Sequence, residues 1–421
     1  MSSPITEYSA VTVPKNWFRN LTPRERHTFW TCFLGWALDA MDVQIYAVVM
    51  PVLISLWALP KSQAGLLATA ALVVSSAGGW LAGILADRIG RVKVLRITIV
   101  WFAAFTFLSG FTNSFGQLLV TRSLQGLGFG GEWAAGAVLI GEVIDRRIRG
   151  RAVGTVQSGW SVGYGAAVLL FAAVFSVAPP AYAWRILFFT GLLPAIAVLW
   201  YCRNLEEPEV FHKQRKTGER SSFLSIFRAP LLRSTLVASL LAAGALGGNY
   251  AILTWLPTYL SLSRKLSVLS TGGYLATNIA GSFFGYVISG HLSDWLGRRR
   301  TFALTAVCAM ATVAIYTLVP LSPMLLLAMG FPLGFFQSGM VAGMGAAFAE
   351  LFPTRVRATG QGFSYNSGRA IGSVLPALVG YLSPVLSLGS AIGLCAVCSY
   401  VLVLTASALL VETRGKELEC E

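Results

Sequence analysis

Charged residues are scarce in this chain. Asp, Glu, Lys and Arg make up 12% of its 421 residues, whereas soluble globular proteins carry about 25%. This shortage excludes a disordered chain, a collagen and nearly every soluble enzyme. Hydrophobic residues reach 55%, with 43 Gly and 12 Trp. Such a composition is typical of helical membrane proteins, in which small residues pack the helices and Trp lies at the membrane interfaces.

Groups that carry enzymatic or redox chemistry are also rare. The chain has three His, and its six Cys show no paired disulfide pattern. Cys395 and Cys398 form a CxxC, but they lie in an unbroken apolar run, so we interpret them as helix-packing residues. No GxxxxGK[ST] phosphate-binding motif occurs, which disfavours ATP-driven transport. The sequence therefore predicts a protein that is not an enzyme and that needs no metal or other cofactor.

The apolar stretches are long enough to cross a membrane as helices, which takes about 20 residues each. Reading between charges, and dividing two double-length stretches near Pro320 and Ser383, predicts twelve transmembrane helices. The boundary between the fifth and the sixth falls at Arg185. The first 27 residues are polar and the first apolar stretch is a full span, so no cleavable signal peptide is expected.

The positive charges predict the orientation. Most of the 32 Lys and Arg lie in the two tails, the central polar stretch and alternate loops. The opposite face has only Lys61, Arg185, Arg264 and Lys265. Because basic loops stay on the cytoplasmic side, we expect a multi-pass protein of the plasma (inner) membrane with both termini in the cytoplasm. The net charge of +14 is thus a topology signal, and no nucleic acid is expected as a partner.

Two motifs occur twice, at almost the same separation. Gly83 to Arg91 (GILADRIGR) recurs as Gly290 to Arg298 (GHLSDWLGR), and the pair Glu142 and Arg149 recurs as Glu350 and Arg357. Two independent motifs with one separation indicate a duplication with six helices in each half. A duplicated six-helix unit is typical of secondary transporters, in which two halves rock about a central site.

The duplication predicts five segments along the chain. They are a cytoplasmic N-terminal tail (1–27), an N-terminal six-helix bundle (28–203), a cytoplasmic linker (204–232), a C-terminal six-helix bundle (233–411) and a cytoplasmic tail (412–421).

The repeated loop motif, Gly83-xxx-Asp87-Arg88-x-Gly90-Arg91, resembles the loop signature of the major facilitator superfamily. This resemblance implies an all-α integral membrane fold with twelve transmembrane helices in two pseudo-symmetric six-helix bundles. It also implies that charges in the cytoplasmic loops hold a gate closed. The implied gate residues are Asp87, Arg88, Gly90, Arg91, Glu142, Arg149, Asp294, Arg298, Glu350 and Arg357.

A narrower resemblance lies in the stretches 122–133, 158–163 and 184–194. They are similar to the proton symporters for sialic acid and for monocarboxylates such as lactate. Asp39-Ala-Met-Asp42 also resembles the Asp-x-x-Asp of aromatic-acid symporters and nicotinate carriers. All these groups carry organic acid anions, so the resemblance implies proton-coupled uptake of such an anion by alternating access. An aromatic acid or nicotinate as substrate, a neutral sugar as substrate and sodium coupling stay open as alternatives.

Acidic side chains inside the predicted spans are candidates for proton coupling, since each costs at least about 2.5–3.5 kcal/mol to insert. Asp39 and Asp42 lie three residues apart in the first span and so share one helix face. Two close carboxylates cannot both ionise cheaply away from water, so we expect one of them to hold a proton. The alternative is a structural pair that is hydrogen-bonded to neighbouring helices. Glu132, in the fourth span, is either a third proton site or a structural acid.

Cationic and polar side chains inside the spans are candidates for substrate binding. Arg369 is the only cation within the spans of the second half, and a substrate carboxylate would neutralise it in the two-pronged geometry that Arg favours. Arg122 either binds a carboxylate or supports the acids of the first span. The remaining candidates are uncharged: Gln44, Tyr46, Asn249, Tyr250, Asn278, Gln337, Tyr365 and Asn366. Each can act as helix-packing polar glue, but together they predict a polar cavity. We expect a monomer whose partners are the bilayer, a proton and a small organic anion.

Overall fold

The computed structural model describes residues 17–144, 149–203, 205–207, 223–353 and 356–413. Within these ranges some side chains lie outside the described part of the chain. Among the predicted site residues these are Asp87, Glu132, Glu142, Arg149 and Asp294. The roles given to these five side chains therefore stay predictions.

The described chain is almost entirely helical. The first half begins with a 3-10 turn (Trp17–Asn20) and contains α1 (Pro23–Leu56), α2 (Lys61–Ile89), α3 (Arg91–Ser109), α4 (Phe115–Val143), α5 (Arg149–Gln157), α6 (Gly159–Val177), α7 (Pro180–Thr190) and α8 (Leu192–Cys202). The second half begins with a 3-10 turn (Phe223–Phe227) and contains α9 (Leu231–Thr258), a π-helical turn (Tyr259–Ser263), α10 (Val268–Leu296), α11 (Arg298–Leu318), α12 (Pro323–Leu351), α13 (Arg357–Gly372), α14 (Leu375–Leu382) and α15 (Leu388–Leu409).

Three pairs of these segments, α5 with α6, α7 with α8 and α13 with α14, consist of helices of only 8–19 residues that continue one another across one or two residues. The one-residue joints at Gly90 and Gly297 differ, because each has a positive φ and begins a new helix. Counting each pair once gives twelve helices, so the predicted all-α membrane architecture is confirmed. Nine helical stretches of the described residues are long and apolar enough to cross a membrane.

Polar residues cap the beginnings of several helices. Thr22 precedes α1 and exchanges hydrogen bonds with Glu25, since Glu25 N donates to Thr22 Oγ1 and Thr22 N donates to Glu25 Oε2. Four serines precede other helices, and the side-chain oxygen of each accepts the N–H of the third residue after it: Ser114, Ser267, Ser322 and Ser387. Such caps satisfy backbone donors that have no partner within the helix.

The predicted boundary between the fifth and sixth spans is wrong by several residues. The structure breaks at Ala178 and Pro179, and Arg185 lies inside α7 rather than in a loop. The reason is that the Arg185 guanidinium is satisfied from outside its own helix. It donates to the backbone oxygens of Gly110 and Thr112, both within 2.8 Å, and to Asn113 Oδ1. A charge therefore does not mark a helix end here.

The two halves use the same glycine contacts between equivalent helices. In the first half α2 packs against α4, and in the second α10 packs against α12. A Cβ on Gly126 of α4 would overlap the backbone oxygen of Ala71, and a Cβ on Gly334 of α12 would overlap that of Asn278. Small residues let helix backbones approach this closely. The matching contacts support the duplication that the motifs predict.

The halves touch on both sides of the centre of the molecule. At the Lys61 end of α2, a Cβ on Gly65 would overlap the backbone oxygen of Pro376, and the Ala377 N–H donates to Thr69 Oγ1 at 3.0 Å. Near the other end of α2, the rings of Trp80 and Phe363 stack at 6.1 Å. Helices α6 and α10, and α1 and α9, complete the contact. The central region therefore lies between two layers of packing.

Replacing Gly285 of α10 by Ala tests the close contact of helices. Its Cβ would overlap the backbone oxygen of Phe335, and such overpacking typically costs about 1–3 kcal/mol. We expect a lower thermal unfolding midpoint in detergent. Gly273→Ala on the same helix is the control, because no atom lies within 4 Å of that Cβ. It should leave the midpoint unchanged or raise it, since Ala favours helices by up to about 1 kcal/mol over Gly. Equal effects of the two changes would contradict this packing.

Candidate functional site

A narrow cavity lies between α1, α2 and α4 of the first half and α9 of the second. Its polar lining is Gln44, Tyr46, Arg122, Gln125 and Thr254, and its apolar lining is Val43, Ala47, Ala68, Ala71, Leu72 and Phe129. Three of the predicted substrate-binding residues, Gln44, Tyr46 and Arg122, thus meet in one place. Sequence reasoning missed Gln125 as a site residue, although it follows Arg122 by three positions and so shares its helix face.

Arg122 is the cation of this cavity. Its side chain is 2% exposed, and its Cζ lies 5.2 Å from the centre of the Tyr46 ring. Among the described residues, Nε and Nη1 have no hydrogen-bond partner. The guanidinium of Arg122 and the carboxylate of Asp42 are close enough to interact electrostatically. Arg122 thus lines the cavity and also interacts with an acid of the first span, so both alternatives for its role stay open.

Asp42 is completely buried in α1. Its Oδ2 accepts a hydrogen bond from Thr106 Oγ1 of α3 at 2.9 Å, whereas Oδ1 has no partner in the described part of the structure. Gly191, at the junction of α7 and α8, leaves room for the carboxylate, because a Cβ there would lie 2.8 Å from Oδ1. Neither Thr106 nor Gly191 was predicted. Asp39 is also buried, three residues earlier on α1.

Arg369 of α13 lies between the halves, next to Phe129 of α4. Its Cζ is 4.8 Å from the centre of the Phe129 ring in α4 and 5.0 Å from that of Tyr365 in α13. Nη2 donates to the Tyr365 hydroxyl at 3.4 Å, and the Tyr250 hydroxyl of α9 interacts electrostatically with the guanidinium. Nε and Nη1 find no partner among the side chains and backbone that the structure describes. Three of the predicted substrate-binding residues, Arg369, Tyr250 and Tyr365, therefore lie close together, and their role stays a prediction.

The other predicted polar residues of the second half divide by role. Asn278 Nδ2 of α10 donates to the backbone oxygen of Gly330 in α12 at 3.4 Å, so this residue joins two helices. Asn366 Nδ2 donates to the backbone of its own helix, and its Oδ1 faces Gly79 of α2. Gln337 and Asn249 are buried with side-chain atoms that lack a partner within the described chain. Unpaired buried polar atoms of this kind call for water or a ligand.

A second cluster of predicted residues lies where α10, α11 and α12 end or begin. Arg298 binds Glu350 through two bonds, Nη2 to Oε1 at 2.7 Å and Nε to Oε2 at 3.1 Å. Its Nη1 also donates to Ser293 Oγ at 2.9 Å. The Arg357 Nε donates to the backbone oxygen of Ala349 at 2.8 Å. Three predicted gate residues of the second half are thus held at one end of the bundle.

In the first half, the structure describes fewer of the predicted gate residues. Arg91 is buried at the start of α3 and its Nη1 donates to the backbone oxygen of Ala86 at 3.3 Å. Arg88 is exposed. Gly90 joins α2 to α3 with a φ of 112°, as Gly297 joins α10 to α11 with a φ of 94°. A left-handed backbone at both joints explains why glycine stands there.

Two acids that sequence reasoning missed bind at these joints. Glu207 accepts the N–H groups of the first two residues of α3 at 2.9 and 3.0 Å. Glu412 does the same for α11, at 2.9 and 3.2 Å. A carboxylate is favourable at a helix N-terminus because it satisfies free donors and opposes the helix dipole. A Cβ at either Gly90 or Gly297 would collide with the acid, which is a second reason for glycine.

Removing one partner of the Arg298 and Glu350 pair should destabilise the second half. The side chains are only 10% and 16% exposed, and a hydrogen bond to a charged group contributes about 1.5–3 kcal/mol. We expect Glu350→Gln and Arg298→Gln each to lower the thermal unfolding midpoint. The double variant should lose less than the two losses together, because the second change removes a bond that is already broken. Additive losses would show that the two side chains act independently.

Comparison with known proteins places the chain among membrane transporters. A model of the Major Facilitator Superfamily matches residues 32–375. The chain is 42% identical to a probable 4-methylmuconolactone transporter of Cupriavidus pinatubonensis, over 96% of this chain and 94% of that protein. It is 30% identical to the cis,cis-muconate transport protein of Acinetobacter baylyi, over 87% and 88%. With the sialic acid transporter NanX of Escherichia coli the identity is 28%, over 96% of both.

Solved structures show the same fold. The proton:xylose symporter XylE matches with a TM-score of 0.75 at 16% sequence identity, covering 94% of this chain and 98% of that one. At this identity the likeness concerns the architecture alone, with its two six-helix halves.

Proposed function

The chain belongs to the Major Facilitator Superfamily and is a multi-pass membrane transporter rather than an enzyme; from that premise we propose that it takes up a small organic acid anion together with a proton. The observation that carries the proposal is the pair of buried guanidinium groups between the two halves. Arg122 and Arg369 both keep N–H groups that no described residue accepts. In this proposal the two halves rock about these groups and expose them to each side of the membrane in turn.

Burial of the two cations favours an anionic substrate. Taking a charged side chain out of water is costly unless hydrogen bonds and an opposite charge compensate it. The described neighbours of Arg369 are Phe129, Tyr250 and Tyr365, which are neutral. A carboxylate supplies both the charge and the paired acceptors that fit a guanidinium. A neutral sugar would leave the charge of Arg369 uncompensated, so we favour an organic acid over a neutral sugar as the substrate.

The names of the relatives support an organic acid as substrate and favour one class of acid over another. The sequence alone favours sialate or a lactate-like monocarboxylate. Identity is 42% to the probable 4-methylmuconolactone transporter but 28% to NanX. The relative at 30% is named for cis,cis-muconate. We therefore favour a compact unsaturated acid of this kind over sialate as the substrate.

Asp42 is the proton site of this proposal. The attraction of Arg122 and the hydroxyl of Thr106 compensate part of the cost of burying the Asp42 carboxylate. A substrate oxygen that binds Arg122 competes with Asp42 for that positive charge. The buried carboxylate then loses its compensation, and taking a proton on the unpartnered Oδ1 removes the cost of burying its charge. Substrate binding and proton uptake are linked in this way, with Asp39 and Glu132 as the alternative proton sites.

The layers of packing on either side of the cavity are the gates of this cycle. One gate is the contact of α2 with α14 around Gly65 and Pro376. The other lies at the opposite end, where Trp80 stacks on Phe363 and the Arg298 and Glu350 pair ties the helices of the second half. We place this second gate at the cytoplasm, following the orientation that the basic loops predict.

Asp42→Asn tests the coupling. The amide has nearly the same shape but cannot take up and release the proton, so a pH gradient should no longer drive accumulation. Exchange of internal for external substrate should persist, because exchange need not cycle the proton. The measurement is uptake of labelled cis,cis-muconate into proteoliposomes, with a pH gradient, with a sodium gradient and with substrate loaded inside. Thr106→Val is the matched control, because it removes the hydroxyl that donates to Asp42 Oδ2 but keeps the carboxylate that takes up the proton. Accumulation by Asp42→Asn at the wild-type level would move the proton site to Asp39 or Glu132.

Arg369→Lys tests substrate recognition. Lysine keeps the charge but loses the planar fork that binds both oxygens of a carboxylate, so we expect the dissociation constant for the acid to rise about tenfold or more, the equivalent of about 1.4 kcal/mol. Arg369→Ala should nearly eliminate binding. Analogues in which an amide replaces the only carboxylate should bind poorly to the native protein. Good transport of a neutral sugar, with its affinity intact in Arg369→Ala, would contradict an anion carrier.

A further inference from the structure

We propose that the substrate of this transporter carries oxygen groups at both ends of a flat apolar body. One end is a carboxylate held at Arg369, and the other is a carboxylate or an ester-type carbonyl held at Arg122. The proposal rests on the proposed function, because it specifies the class of acid that the same cavity takes.

The two arginines form separate stations of one site, and Phe129 connects them. Phe129 lines the cavity together with Arg122, and its ring also lies 4.8 Å from the Arg369 Cζ. Arg122 and Phe129 are seven residues apart on α4, so their levels differ by about 10 Å along the helix axis. On α9, Thr254 lines the cavity and Tyr250, one turn earlier, interacts with Arg369. Two helices therefore run from one station to the other.

The Arg122 station offers donors that a single carboxylate at Arg369 would not use. Nε and Nη1 of Arg122 are buried without a partner in the described chain, and so are the amide nitrogens of Gln44 and Gln125. A guanidinium can only donate hydrogen bonds, so a ligand that displaces water from this end of the site must bring acceptors with it. Leaving such buried donors unsatisfied costs about 1–3 kcal/mol each. A ligand with an oxygen at this end avoids that cost.

Apart from its polar groups, the cavity that holds Arg122 has an apolar wall. This wall consists of small and aliphatic side chains and one aromatic ring: Val43, Ala47, Ala68, Ala71, Leu72 and Phe129. Hydroxyl groups placed against this wall would lose their water without gaining partners. The middle of the ligand is therefore hydrocarbon, and an unsaturated chain or ring lies flat against the Phe129 face more readily than a polyhydroxylated one.

Three probes with the same six-carbon skeleton separate the two stations. Hexadienedioate has a carboxylate at each end, its monomethyl ester keeps one carboxylate and one carbonyl, and sorbate (hexadienoate) ends in a methyl group. Binding to the purified full-length protein in nanodiscs is measured by isothermal titration, without a gradient, so that coupling does not enter. We expect the diacid and the monoester to bind at least about tenfold more tightly than sorbate, which corresponds to about 1.4 kcal/mol.

Variants assign each end of the probe. Arg122→Gln should raise the dissociation constant of the diacid and the monoester to that of sorbate, and leave sorbate unchanged. Gln44→Leu should reduce the same preference while it keeps the charge of Arg122, and it tests the proposal if Arg122→Gln fails to fold. Arg369→Gln should weaken all three probes. Thr312→Val in α11, whose hydroxyl bonds its own helix, is the control and should change none of the affinities.

Two results overturn the inference but not the proposed function. One is equal affinity of the native protein for sorbate and for the diacid. The other is a loss of sorbate binding in Arg122→Gln as large as the loss of diacid binding, since that would make Arg122 the single carboxylate site. If the native protein binds none of the acids and accumulates none of them in proteoliposomes, the proposed function itself fails.

Discussion

The cost of burying a guanidinium group governs this structure. Arg122 and Arg369 are 2% and 1% exposed, in a chain in which only 12% of the residues are charged. Each is partly compensated by the protein, Arg122 by Asp42 and Arg369 by two tyrosines and an aromatic face. The compensation by the described residues leaves N–H groups without acceptors. In the proposed cycle, a site that is left incomplete in this way binds an anion. Asp42 then has two states, depending on whether Arg122 interacts with the Asp42 carboxylate or with the substrate.

The architecture keeps these groups at the junction of two similar halves. Glycines bring α2 close to α4 and α10 close to α12, and a carboxylate caps the helix after each left-handed glycine joint. The helices within each half are therefore closely packed, and the halves meet through α2 with α13 and α14, α6 with α10, and α1 with α9. Breaks within spans fall near the site: Gly191 lies beside Asp42, and α13 ends three residues after Arg369, at Gly372. Such discontinuous helices are typical of transporter binding sites.

Much of the fold was predictable because its causes are local in sequence. Long apolar runs predict the helices, serines or prolines precede about half of them, and the repeated loop motif reveals the duplication. Arg185 misled the prediction because its partners, such as the carbonyl of Gly110, lie in a distant loop. Glu207 and Glu412 escaped notice because they act on helices more than a hundred residues earlier. The candidate residues were recognised as buried charges, yet the sequence favoured Arg369 as the substrate contact. That Arg122 lines the cavity depends on how four helices pack, which no local pattern reveals.

Proton uptake on substrate binding is the most direct test of the link between Arg122 and Asp42. Isothermal titration of the native protein with the acid, in buffers of different ionisation enthalpy at one pH, gives the number of protons taken up per molecule bound. The account predicts net proton uptake by the native protein and none by Asp42→Asn, which should still bind the acid. Binding of the acid to the native protein without any proton uptake, across the pH range in which it transports, would contradict it.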